Sequence, residues 1–362
     1  MKTLFTFSLI LLCASLVTPQ AKKEVKKSTA ELASSPKFAA GKIWGLTYVD
    51  YAYIAQARDG STQGNNAFEF RRIYVGYDQD ISDQFSARVL IEANKLETTT
   101  SGVMNFFAKQ AYLEWKNLLP MANVFIGLSP TPSLANAEKI WGYRSLERVI
   151  LDRTGLVAVS EMGVGVSGKI VRDGSLGYAV MVGNGNGGKL ENDKYKKIYG
   201  EFDYEPLKGG IVELYGDYEN GPNAQAKFTG KGLLGYQSAA VSYGAEGFYR
   251  NVQHGTFQAN GAASDSNLVG ASANTSFQIA QNIRLVLRGD FFDPDFLVKN
   301  SGLREIFAVA GLDFASAKDV HLIPNVLYTH QLYKKKLATD PALKDDITVR
   351  LTFAYSFSAQ IQ

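Results

Sequence analysis

The eleven residues ITVRLTFAYSF, Ile347 to Phe357, alternate without a break: Ile347, Val349, Leu351, Phe353, Tyr355 and Phe357 on one side, Thr348, Arg350, Thr352, Ala354 and Ser356 on the other. A strand sends successive side chains to opposite faces, so this segment presents one apolar face and one polar, small or charged face. Strands of soluble domains run about five to six residues, whereas a tilted strand crossing a bilayer needs about nine to eleven. The length of the pattern favours a bilayer over a half-buried strand in a soluble sandwich.

The same alternation recurs along the chain. KIWGLTYVDYAYIAQ at 42–56 opens the series. In FEFRRIYVGYD at 68–78, Ile73, Val75 and Tyr77 oppose Arg72, Tyr74 and Gly76. In QFSARVLIEAN at 84–94, Phe85, Ala87, Val89, Ile91 and Ala93 oppose Ser86, Arg88, Glu92 and Asn94, with Leu90 interrupting the polar side. With 106–116, 123–129, 161–171, 176–183, 195–204, 211–218, 228–236, 238–250, 268–279, 283–292, 305–314, 321–330 and 347–357, the series comes to sixteen segments, an even number.

The connectors are sorted by length. ISD, NLLPMA, RDGS, EPLKGG, a tight turn at Gln237, AQN and ASAKDV are short and turn-like. They alternate with longer polar segments at 57–67, 95–105, 130–160, 184–194, 219–227, 251–267, 293–304 and 331–346. Short turns at one end and long loops at the other predict an all-β, transmembrane antiparallel β-barrel of about sixteen strands, with both chain ends on the short-turn side. Composition agrees. The chain holds 19 tyrosines, 21 phenylalanines and 34 glycines but only 10 prolines, and after its first residues it has no apolar run long enough for a spanning helix.

At the N-terminus, Lys2 precedes the apolar LFTFSLILLCASLV, which reads as a signal peptide over residues 1–21. Residues 22–41 read as a flexible polar lead and 42–362 as the barrel. Cys13 is the single cysteine and leaves with the signal, so no disulfide or thiol chemistry is expected. The implied location is the outer membrane of a Gram-negative cell, with the bilayer and its lipopolysaccharide as surroundings.

A barrel of sixteen strands is too wide for its own side chains to fill. The longest connector, beginning PTPSLANAEKIWGYRSLERVILDRTG at 130, mixes apolar and charged residues at roughly helical spacing, with Ile140, Arg144 and Arg148 four apart. A connector of this length and composition is expected to pack rather than to float. Folded into the lumen as a constriction, it would offer Lys139, Arg144, Arg148 and Arg153 as pore-lining cations. The alternative is a structural plug or lid whose charges pair internally with Glu138, Glu147 and Asp152.

FRRIYVGYDQDISDQFSARVLIEAN, then AYLEWKN, then VFIGLSPTPSLANAEKIWGYRSLERV, resembles the phosphate-selective porin O and P family. The likeness covers the strand plan from about residue 42 onward and is most specific over 68–153. It implies a sixteen-stranded, typically trimeric channel for small hydrophilic solutes in which inward cations attract anions. Arg72, Arg88 and the cations of the long connector are the residues it points to. By alternation alone the lumen receives Arg72, Arg88, Lys169, Lys197, Arg284, Arg288 and Arg350 against Glu92, Glu201, Asp203, Glu213, Asp217, Glu246 and Asp290, so any selectivity rests on where charges cluster.

Other chemistries fare worse. Gly183, Gly185 and Gly188 have the spacing of a dinucleotide fingerprint, with Asp203 at a suggestive distance, yet the following residues lack the helix that the mechanism needs. Asp290, Asp293 and Asp295 of DFFDPD lack the length and glycine of a calcium loop. A barrel hydrolase with a rim active site would have to draw on His254, His321 or His330, without a nucleophile elbow or a zinc motif. The reading is a passive channel, with no cofactor, metal, catalytic residue or nucleic-acid partner.

Overall fold

The computed structural model describes residues 41–98, 102–222, 225–257 and 263–361; the expected signal peptide and most of the lead segment lie outside them. Gly41–Ile361 forms one unit, a closed barrel of sixteen strands. In chain order these are β1 (Gly41–Gln56), β2 (Asn66–Asp80), β3 (Phe85–Thr98), β4 (Met104–Leu119), β5 (Ala122–Pro130), β6 (Ser160–Lys169), β7 (Leu176–Gly183) and β8 (Lys197–Tyr204). The second half is β9 (Gly210–Asn220), β10 (Ala226–Gln237), β11 (Val241–Phe257), β12 (Ala263–Ala280), β13 (Ile283–Asp293), β14 (Leu303–Ala317), β15 (Val320–Tyr333) and β16 (Asp346–Ile361). Each pairs antiparallel with its sequence neighbours, and β1 pairs with β16, which leaves no open edge.

All sixteen predicted segments overlap an observed strand, though many strands run further. The terminal strand extends past Phe357: Ser358 to Ile361 continue the register against Trp44 to Gly41.

Burial is inverted relative to a soluble protein. Val75, Val89, Ile91, Val164, Leu214, Leu234, Phe353, Tyr355 and Phe357 are exposed on the outer face, while Asp50, Glu92, Lys197, Glu213, Lys231 and Arg288 are buried inside. An apolar outside and a charged inside suit a barrel whose outer solvent is hydrocarbon. Among the described residues no helix is long and apolar enough to cross a membrane.

The connection between β5 and β6 contains two short helices, α1 (Ala135–Trp141) and α2 (Ile150–Arg153). α1 stops at Gly142, whose φ of 68° is the left-handed conformation that glycine accepts freely and whose N–H donates to the Glu138 carbonyl at 2.9 Å. Ile140, Arg144 and Arg148 therefore do not share one helix face, contrary to their spacing. Leu134, Ile140, Trp141, Leu146, Ile150 and Leu151 of this connection form the main buried apolar cluster with Ile211, Leu233, Phe248, Val286, Phe307 and Ile323 of the strands.

Candidate functional site: the charged interior beside the long connection

Two of the interior cations are carried by irregularities. Tyr48 pairs with Arg72 and the next residue, Val49, with Phe70, so Arg71 is an extra residue in β2. Leu90 pairs with Gln110 and Ile91 with Ala108, so Lys109 is an extra residue in β4. A bulge re-aims the side chain it carries. Here it brings Arg71 beside Arg72, and Lys109 onto Glu92.

On the wall side two carboxylates lie behind the cations. Arg71 Nε is 2.6 Å from Asp50, and Arg72 Nε is 2.9 Å from Glu92; both acids are completely buried. Lys95 reaches Glu69 at 2.7 Å. Across from them, Arg144 pairs with Glu138 and, at 2.8 Å, with Asp152. Arg148 is held more loosely, 3.5 Å from Glu147 and 3.4 Å from Asp152. A cavity of about 130 Å³ lies between the two sides, lined by Tyr48, Arg71, Arg72, Asn94, Lys95, Arg144, Glu147 and Arg148. Five cations and one acid face this space.

The remaining expected site residues lie elsewhere. Arg88 is tied to Asp78 through two hydrogen bonds of 2.6 and 2.9 Å, toward the short-turn end, and stands over the Trp44 ring. Arg153 bridges to Asp290 at 3.1 Å and Glu305 at 2.7 Å and lies against Phe307. Lys139 is exposed and has no carboxylate within ion-pair distance among the described residues; its carbonyl accepts from Gln237. Arg72, Arg144 and Arg148 thus meet at one cavity, and Arg88, Lys139 and Arg153 do not join them.

A second set of cations holds the connection by its backbone. Lys231 donates to the Ser133 carbonyl, Arg288 to Arg148 at 2.6 Å, Arg350 to Leu146 at 2.6 Å, Arg250 to Leu156, and Arg71 to both Ser145 and Leu146. Ser242 Oγ adds a bond to the Ile140 carbonyl at 2.7 Å. These carbonyls sit outside regular ladders and need donors once buried. Sequence reasoning missed Lys231 and Arg250 as interior cations, although Arg250 shares the strand face of Glu246, and their carbonyl partners carry no sequence signal.

Electrostatics within the connection follow burial. Desolvation lifts the Glu138 carboxyl above the ordinary carboxylate range despite the opposing pull of Arg144. It also lifts the Tyr143 phenol, reinforced by Asp313, to which Tyr143 donates at 3.0 Å.

The residues weighed for catalysis are separated. His321 engages Asp313 at 2.8 Å and His330 engages Asp345 at 2.6 Å, while His254 is tied by its backbone to Asp265. No cluster of three or more metal-ligating side chains occurs among the described residues. After Gly183 the chain enters a loop and then β8, so the glycine spacing there serves no helix.

No family model matches the chain, and no curated protein does. Among solved structures, the outer-membrane channel DcaP of Acinetobacter baumannii has a TM-score of 0.61 at 14% identity, covering 88% of this chain and 98% of that one. An anion-selective porin from Comamonas acidovorans has a TM-score of 0.61 at 12% identity, covering 88% and 100%. OmpF of Salmonella typhi, solved with daunomycin, has a TM-score of 0.59 at 11% identity, covering 88% and 97%. At these identities the likeness is one of architecture: the chain has the sixteen-stranded barrel fold of outer-membrane porins.

Proposed function

We propose that the protein is an outer-membrane porin, a passive and non-enzymatic channel for small hydrophilic solutes with a preference for anions. The observation that carries this reading is the lining of the cavity beside the long connection, where five cations face the space and, of their partner carboxylates, Glu147 alone does. A passing ion lies nearer to these cations than to the carboxylates behind them, and the Coulomb interaction falls with distance. The connection between β5 and β6 acts as the constriction, and Arg72, Arg144 and Arg148 are the selectivity residues. Arg88, Lys139 and Arg153 shape the field at its approaches. Phosphate is the leading physiological anion because of the family resemblance, from which a homotrimer in a lipopolysaccharide-bearing membrane also follows.

The test is reversal potential in planar bilayers under a salt gradient, with phosphate added as a competitor of chloride current. Wild-type protein is expected to insert stepwise and to reverse on the anion side. Arg144→Glu and Arg148→Glu are each expected to move the reversal potential toward cations, Arg144→Glu more strongly because Glu138 and Asp152 lose their partner. An unchanged reversal potential in both variants would remove these residues from the selectivity site.

A further inference from the structure

Beneath the long connection, toward the short turns, the interior holds two larger chambers. One, of about 440 Å³, borders β1, β16 and the turn after β10, and its lining includes Leu46, Tyr48, Trp141, Ser145, Arg284 and His321. The other, of about 480 Å³, borders β4 to β8 and is lined by polar groups such as Asn117, Asn123, Asn136, Ser167 and Lys169. They differ in what lies on their outer side.

The first chamber backs onto the cation-lined cavity. Tyr48 lines both spaces and is the one residue they share. The connection contributes to both sides of this septum, Ser145 to the inner chamber and Arg144, Glu147 and Arg148 to the outer cavity. Tyr48 is 6% exposed, and the Arg71 guanidinium stands 5.7 Å from its ring centroid. The Tyr48 ring therefore lies between a positively lined outer space and a wide inner one, flanked by the bonds from Arg71 and Arg350 to the Ser145 and Leu146 carbonyls.

The second chamber is roofed. Asn136 donates to Glu201 at 2.9 Å across its outer side. Beyond that bond Met181, Tyr199 and Tyr215 pack as a buried cluster, with Tyr199 donating to the fully buried Glu161 at 2.7 Å. No side chain of this chamber lines the cation-rich cavity.

We propose that solutes cross on the β1–β3 side of the long connection, that Tyr48 is the neck that sets the size limit of the channel, and that the larger β4–β8 chamber is a blind vestibule. The proposal rests on the channel reading above and adds a route and a size-determining residue to it. Selectivity and size exclusion are then separate properties, the first set by the arginines and the second by one ring.

Single-channel conductance of the purified full-length protein tests it, with folded barrels identified by heat-modifiable electrophoretic mobility. Tyr48→Ala is expected to raise conductance, because the pore is widened at its constriction, while leaving the reversal potential on the anion side. Tyr48→Trp is expected to lower conductance. In chains with Cys13 replaced, a bulky thiol reagent should block Tyr48→Cys and leave Ser167→Cys, in the vestibule, conducting as before. Unchanged conductance in both ring variants, or a block at Ser167→Cys, overturns the proposed route. A silent wild type with a conducting Tyr48→Ala still supports the neck; if both folded proteins are silent, the channel reading fails together with it.

Discussion

Individual side chains in this barrel do work that their identities alone do not announce. Arg72 and Arg88 were both legible as interior cations because each falls on the polar side of its own strand's alternation, yet one lines the charged cavity and the other is neutralised by Asp78 near the short turns. Arg71 and Lys109 were not legible, since each occupies a bulge and alternation miscounts across an extra residue. Glu138 offers a pH test at this scale. Its carboxyl takes up a proton at a higher pH than an ordinary carboxylate, because burial penalises its charged form. As pH falls through that raised value, the negative partner of Arg144 is lost and the site becomes more positive, so anion preference should rise on acidification. Glu138→Gln should show the more anion-selective reversal potential already at neutral pH and should lose that step in a reversal-potential titration.

At the scale of elements, the strands were readable because each carries a two-residue period long enough to survive local errors. The internal geometry of the 130–160 connection was less so. Its apolar residues predicted packing, and the structure supplies the buried cluster; its apparent helical spacing failed at Gly142, where the left-handed turn splits the segment. Arg288 shows how the connection is tied to the wall. It forms a bidentate bond to Asp290 at 2.8 and 2.7 Å and donates to the Arg148 carbonyl, with both side chains of the pair almost fully buried. Removing one member of a buried pair strands the other. Arg288→Met should therefore cost about 3 kcal/mol in urea unfolding. It should also increase open-channel current noise as the connection loosens; a variant as stable and quiet as wild type would show that the pair is not a structural anchor.

For the molecule as a whole, closure is the governing fact. β1 is held by β16 along nearly its entire length, including the stretch from Ser358 to Ile361. Deleting Ser358–Gln362 removes the partners of Gly41–Trp44 and exposes backbone groups of β1 that hydrocarbon cannot satisfy. Semi-native electrophoresis should show most of that truncated protein failing to reach the compact, heat-modifiable form. The even strand number and sorted connectors made this architecture readable from sequence, whereas the distribution of charge within it depended on contacts between residues far apart in the chain. One such set of contacts has a wider meaning. Beside the apolar cluster, the wall grips the long connection through carbonyl oxygens, from Ser133 to Leu156, and every residue type carries that oxygen. The anchorage is thus indifferent to many of the side chains it holds, and the barrel is a socket for an exchangeable insert: outward-facing residues of the connection can be rewritten to retune permeation while the frame that seats them stays the same.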